Sequence, residues 1–265
     1  MRDLKSLLRA LGLLATAAAL DDIVALATKK RWGPAELLEH IADLEDKDRA
    51  RRGLERRMSR SRMEKFKPIA DFEWDWPTKI DRRLIESLLT LDFLDGARNV
   101  VLVAPGGLGK TMIAQNIAHR AILAGRSVLF VTAAQLLLDL AAQESARALE
   151  RRLRYYANVG VLVLDEMGYL AFDNRNADLL FQVVSRRYEK KSLVMTTNLA
   201  FKQWHTIFLT ATCAHALIER VVHHADVVKI EGESYRLRES ELAASTRRAT
   251  RASAKKKKGD GDDDA

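Results

Sequence analysis

The sequence predicts an α/β protein, with an open sheet flanked by helices and a small all-helical segment ahead of it. Three observations carry that expectation. The apolar run Val100, Val101, Leu102, Val103 stops at a Pro and Gly cluster, and a helical pattern with Met112, Ile113 and Ile117 follows. Residues 159–164 (VGVLVL) form a fully apolar strand that ends in Asp165 and Glu166. Residues 192–197 (SLVMTT) form another buried strand, delivering Asn198 to its end.

Composition sets the bounds. The chain has 265 residues and 48% hydrophobic content, ample for a buried core. No apolar run approaches the length of a membrane span. Residues 11–20 are apolar, but they are few and end in Asp21 and Asp22 without a secretory cleavage pattern. A single cysteine, Cys213, excludes an intramolecular disulfide and a multi-cysteine metal site, which fits a cytoplasmic location. The net charge of +8 favours a polyanionic partner because it is clustered. One basic stretch covers residues 49–67 and a second covers 247–258.

Taken in order, residues 1–66 read as a helical domain with a basic end. Leu4, Leu7, Leu8, Leu11 and Leu14 recur at helical spacing, Ile23, Val24 and Leu26 continue it, and Trp32-Gly33-Pro34 breaks it. A helix over 35–63 follows, with Pro34 suited to a first helical position. Its arginines suit a phosphate backbone better than base reading, because ion pairing with phosphate carries no sequence information. The Arg/Ser alternation around Ser59 and Ser61 equally suits a linker.

Residues 67–98 make a linker and lead-in helix. The run Phe72-Glu73-Trp74-Asp75-Trp76 either packs under a nucleotide base or anchors the linker to the core. Thr78-Lys79-Ile80-Asp81 matches a guanine-specificity motif by chance, since it precedes the phosphate loop. Residues 82–94 read as an amphipathic helix closed by Gly96.

The core spans 99–243. Between its first strand and helix lies Ala104-Pro105-Gly106-Gly107-Leu108-Gly109-Lys110-Thr111, one residue short of the G-x-x-x-x-G-K-[ST] phosphate loop, because Ala104 takes the first Gly position. A small residue suffices at a strand end. The segment from Pro105 to Met112 is the expected polyphosphate cradle, with Lys110 on the β- and γ-phosphates and the Thr111 hydroxyl on Mg²⁺. Gly125 ends the helix, residues 127–132 form a strand, and 133–154 are helical with a turn signal at Gln143-Glu144-Ser145. After the 159–164 strand, Asp165 is expected to hold Mg²⁺ and Glu166 to orient or deprotonate the attacking water. The absence of a downstream guanine motif favours ATP.

Residues 176–188 form the next helix, whose Arg186-Arg187 pair reads as solvated. Asn198 can fix the attacking water, since an amide both donates and accepts, although a turn-forming Asn is the plainer reading. Residues 217–224 are helical and 227–230 strand-like. Arg220, Arg236 and Arg238 are candidates to stabilise charge on the transferred phosphoryl group. His223-His224 lacks a second ligand pair at useful spacing and reads as surface or packing histidines. Residues 244–265, rich in charge, read as a disordered tail.

With the phosphate loop, the strand ending in Asp-Glu, SLVMTTN and LIERVVHHADVVKIEGESYRLRES in order, the chain resembles the IstB family. These are AAA+ ATPase helpers of IS21-type transposition, related to the DnaC helicase loader. The resemblance implies an AAA+ P-loop core with a parallel sheet of order 5-1-4-3-2. It also implies that Asn198 is a sensor, that Arg220 is an arginine finger acting on a neighbouring subunit, and that Arg236 is a second sensor. The implied protein is a homo-oligomer with ATP at subunit interfaces. It binds duplex DNA without strong sequence preference, recruits and stimulates an IS21-type transposase, and hydrolyses ATP. Rival readings are a DnaC-like helicase loader, a scaffold in which nucleotide is only a structural ligand, and a small-molecule P-loop kinase. The last is disfavoured because no acceptor-substrate lid is evident.

Overall fold

The computed structural model describes residues 3–168, 173–208 and 213–239, and the chain divides into two units, residues 1–60 and 61–265. The first unit is helical: α1 (Leu4–Ala10), α2 (Leu14–Ala18), α3 (Leu20–Lys30) and α4 (Pro34–Arg60). Asp3 caps α1 by accepting from the Lys5 N–H, and α3 ends at Arg31 in the left-handed conformation. The buried Glu45 carboxylate of α4 accepts from the Thr16 N–H at 2.8 Å and its hydroxyl at 2.9 Å, tying α4 to α2. The basic face of α4 is partly neutralised within itself, because Arg51 and Arg52 both pair with Asp48.

The division falls at Arg60, ahead of the expected 66. The reason is that 61–69 is sewn onto the second unit: the Ser61 carbonyl accepts from Phe130 N at 2.8 Å, and the Asn116 side chain binds both Lys67 O and Ile69 N. The basic stretch 49–67 is therefore divided between the two units, and its last lysines belong to the second.

In the second unit follow α5 (Arg82–Leu88), β1 (Asn99–Val103), α6 (Lys110–Leu123), β2 (Val128–Thr132), α7 (Ala133–Ala141) and α8 (Ala146–Asn158). The remainder is β3 (Val161–Met167), α9 (Asn174–Arg187), β4 (Leu193–Thr197), α10 (Ala214–Val222) and β5 (Ala225–Lys229). All strand pairs are parallel, in the order β2-β3-β4-β1-β5, which is the expected 5-1-4-3-2 counted from the other edge. Val100, Val101, Leu102 and every residue from Val161 to Leu164 are buried, as parallel strands covered on both faces require.

Several elements depart from their expected limits. The helical stretch expected over 133–154 is divided after Ala141, at the turn signalled by Gln143-Glu144-Ser145, and Ser145 caps α8 by accepting from the Ala148 N–H. The helix expected over 82–94 stops at Leu88, and Leu91 turns left-handed before a short 3₁₀ turn. Arg187 is fully buried rather than solvated. Its guanidinium donates to the carbonyls of Tyr156, Ala157, Val159, Gly160 and Ser192, stitching the end of α8 to the turn before β4. Burial pulls its pKa down to about 9, so it stays charged at neutral pH. Arg186 instead forms a two-pronged pair with Glu150. The charged tail expected over 244–265 lies outside the described residues.

Candidate nucleotide-binding site

The loop between β1 and α6 turns through Gly107 and Gly109, both at φ 80°. Each glycine is also closely approached. A Cβ on Gly109 would stand 2.5 Å from Phe72 Cε2, and one on Gly107 would stand 2.1 Å from Ser234 Oγ. Ala104, in place of the usual glycine, is buried at the end of β1, its N–H donating to Thr197 O. Gly109 caps α6, so the free N–H groups of that helix face the loop. The Lys110 ammonium donates to Ala104 O and Pro105 O, at 2.7 Å each. Burial lowers its pKa and Arg236 adds to that, while Asp165 opposes it.

Behind the loop, the Thr111 hydroxyl lies 3.0 and 3.2 Å from the two oxygens of the buried Asp165 carboxylate. A hydroxyl and a carboxylate so placed are hard oxygen donors and fit Mg²⁺. Between Leu164 and Met167 the register with β4 slips by one residue, giving a β-bulge at Asp165-Glu166. Glu166 there has φ 62° and an exposed side chain. Thr196 holds the bulge in place. Its hydroxyl donates to Asp165 Oδ1 and accepts from the Glu166 N–H at 3.0 Å.

Asn198 follows β4, and its buried Oδ1 has no hydrogen-bond partner among the described residues. Gly168, at φ 118°, lets the chain pass this amide, since a Cβ there would lie 2.5 Å from Asn198 Oδ1. Over the loop, residues 72–76 grip the 233–239 segment. Trp76 Nε1 donates to Glu233 O at 2.8 Å, and Glu73 accepts from Tyr235 and Arg238 at 2.8 and 3.1 Å. Arg238 also stacks on Trp76, and Tyr235 N donates to Gly107 O.

These elements enclose a cavity of about 380 Å³. Of the expected residues, Gly106, Gly107, Leu108, Gly109, Lys110, Thr111, Met112, Glu166, Asn198 and Arg236 line it. Pro105 contributes its carbonyl to Lys110, and Asp165 sits beneath Thr111. Arg220 is elsewhere. Its guanidinium lies 4.7 Å from the Phe181 ring centre and donates to Ser185 Oγ on α9. Sequence reasoning missed Thr196, Lys65, Phe66 and Gln115, which also line the cavity. The aromatic run is both anchor and wall, because Phe72 and Trp76 line the same cavity.

A parallel sheet in this order, with a phosphate loop after β1 and an acidic pair ending β3, defines an AAA+ P-loop ATP-binding protein. The comparison with known families narrows this further. The chain belongs to the family of IstB-like ATP binding proteins, which matches residues 6–243. It is similar to the insertion sequence IS21 ATP-binding protein of Pseudomonas aeruginosa, 34% identical over 92% of each chain. It is also similar to the insertion sequence IS5376 ATP-binding protein of Geobacillus stearothermophilus, 36% identical over 78% of this chain and 83% of that one. Among solved structures, domain III of the Thermotoga maritima replication initiation protein DnaA shares the fold, with a TM-score of 0.50 at 18% identity. That match covers 63% of this chain and 69% of the other. No described helix is long and apolar enough to cross a membrane.

Proposed function

We propose that this protein is an ATP-hydrolysing, DNA-binding helper of IS21-type transposition that works as a homo-oligomer and recruits a transposase. One observation carries the reading: the phosphate loop, Glu166, Asn198 and Arg236 line one cavity with Asp165 directly behind Thr111, whereas Arg220 lies apart from it against Phe181 and Ser185. A site with Arg236 in place and Arg220 outside it is what a shared interface predicts. The kinship with insertion-sequence ATP-binding proteins supports the transposition role.

In this reading the α6 N–H groups and Lys110 bind the phosphates, Lys110 leaving its carbonyl partners for a stronger anionic one. Thr111 and Asp165 would hold Mg²⁺, which would supply positive charge against the phosphate oxygens. Glu166 takes a proton from the attacking water, and Asn198 orients that water through its unpaired Oδ1. Arg236 faces the phosphates from the lid at 235–239, and Arg220 of another copy meets the developing charge. Exposed arginines of α4, such as Arg49 and Arg56, supply phosphate-backbone contacts to duplex DNA.

The test combines ATP turnover with sizing of the protein on duplex DNA. Lys110→Ala abolishes ATP-dependent oligomers, whereas Glu166→Gln retains ATP and DNA binding and loses turnover. An oligomer on DNA that ignores both ATP and Lys110→Ala refutes the reading. Equal, negligible turnover in wild type and Glu166→Gln refutes the hydrolytic role. Capture of a replicative helicase in place of the transposase assigns the protein to helicase loading.

A further inference from the structure

We propose that Glu189, His223 and His224 form a binding site for a divalent transition metal of the zinc class, joining the end of α9 to the end of α10. The two histidines alone offer no such site. The fold adds a third donor from 34 residues earlier in the chain: Glu189 follows α9, and His223 and His224 follow α10. One ligand atom from each of the three lies within 4.8 Å of the others, and among the described residues this is the one such group with three donors.

The spacing suits the ion. His224 Nε2 stands 3.4 Å from Glu189 Oε1, close to the roughly 3.3 Å between ligands of a tetrahedral zinc with bonds of about 2.0–2.1 Å. The three ligand atoms lie within 4.8 Å of one another on exposed side chains, so a side-chain rotation that moves a donor by about 1–1.5 Å closes the triangle to tetrahedral spacing. The Tyr188 hydroxyl lies 2.7 Å from His223 Nδ1, supplying the outer hydrogen bond that orients a ligating imidazole.

Two imidazoles and one carboxylate form a borderline N/O set, favouring Zn²⁺ over the Mg²⁺ that suits Thr111 and Asp165. Three protein ligands leave one position for water or a further donor. The placement has a consequence for Arg220. This arginine lies on α10 three residues before His223, with its guanidinium 5.9 Å from the Tyr188 ring centre, so the metal would fasten the platform on which it stands.

The test uses the untagged full chain, stripped with a chelator and free of nucleotide, titrated with Zn²⁺ in calorimetry and with Co²⁺ in visible absorption. Wild type takes up one equivalent, raises its melting temperature on Zn²⁺ addition, and gives the intense visible bands of four- or five-coordinate Co²⁺. Glu189→Gln and His224→Ala each weaken binding on the order of tenfold or more. The double substitution His223→Ala with His224→Ala abolishes the bands while far-ultraviolet circular dichroism stays native. Lys110→Ala binds as wild type does, because the nucleotide site takes no part. Unchanged affinity in the double variant, or a six-coordinate Co²⁺ spectrum in wild type, overturns the proposal.

Discussion

Replacing Thr196 with valine removes one buried hydroxyl and leaves the side-chain volume almost unchanged, so it isolates what that hydroxyl does. The bulge at Asp165-Glu166 takes the Glu166 N–H out of the sheet ladder, and Thr196 Oγ1 is its acceptor at 3.0 Å. The same oxygen donates to the Asp165 carboxylate. Losing a hydrogen bond to a charged group costs about 1.5–3 kcal/mol, and a stranded half-buried N–H adds about 1 kcal/mol, the low end for an unpaired donor. With partial relaxation, roughly 2–4 kcal/mol of destabilisation is expected, or a melting point lower by about 5–15 °C at this size. Turnover should fall by about 100-fold, since both acidic groups lose a fixed aim and a misplacement of about 1 Å is enough for that. Thr196→Ser keeps the hydroxyl and loses one methyl, worth about 1 kcal/mol. Thermal unfolding reads the stability loss, and steady-state ATP turnover with the Mg²⁺ dependence of ATP-analogue binding reads the misplacement of the acidic pair. A valine variant within about twofold of wild type in turnover, or a serine variant as impaired as valine, refutes this account.

Gly107→Ala puts a Cβ 2.1 Å from Ser234 Oγ and should push the 235–239 segment off the loop, weakening ATP-analogue binding. Adding Ser234→Gly removes the two nearest atoms, so the double variant should regain the part of the affinity lost to the clash while the strain of alanine at φ 80° remains, and an affinity no higher than that of Gly107→Ala alone would count against the lid contact. Asp139 resists protonation: although burial pushes its pKa up, the Arg152 and Tyr156 hydrogen bonds outweigh this and hold it below the usual carboxylate range. A carboxyl depressed on folding stabilises the native state above its unfolded pKa and loses that contribution as pH falls through the folded value. Denaturant titrations should therefore show Asp139→Asn less stable than wild type at pH 7, with the gap narrowing below about pH 4. A constant gap would contradict it.

The strands were legible because a parallel sheet covered on both faces needs continuous apolar runs, and residues 161–164 and 193–195 supply them. The phosphate loop was legible because its glycines and Gly-Lys-Thr sit at a fixed spacing set by local geometry. Features made by distant contacts were not. One extra residue in β3 leaves no compositional trace, so the bulge that presents Glu166 and the Thr196 hydroxyl that fixes it stayed hidden. Arg187 resembles its neighbour Arg186 in sequence, yet five carbonyls converge on one and a surface carboxylate on the other. The basic stretch 49–67 reads as one charge cluster, but Lys65 and Lys67 line the nucleotide cavity.

The position of Arg220 links these observations. Its guanidinium is satisfied within its own subunit by Ser185 and the Phe181 ring, and both partners lie on α9. That helix is anchored at its C-terminal end by the buried Arg187, which ties it to the end of α8 and the start of β4. β4 in turn carries Thr196 against Asp165 and ends at Asn198. An arginine so mounted is stiffly connected to its own subunit's acidic pair while lying outside that subunit's cavity. In an oligomer that shares its sites, a shift imposed on Arg220 by a neighbour's nucleotide has a direct packed route through α9 and β4 to the carboxylates of the next site. Along that route, the five-carbonyl clamp on Arg187 is what fixes α9 to the end of α8 and the start of β4.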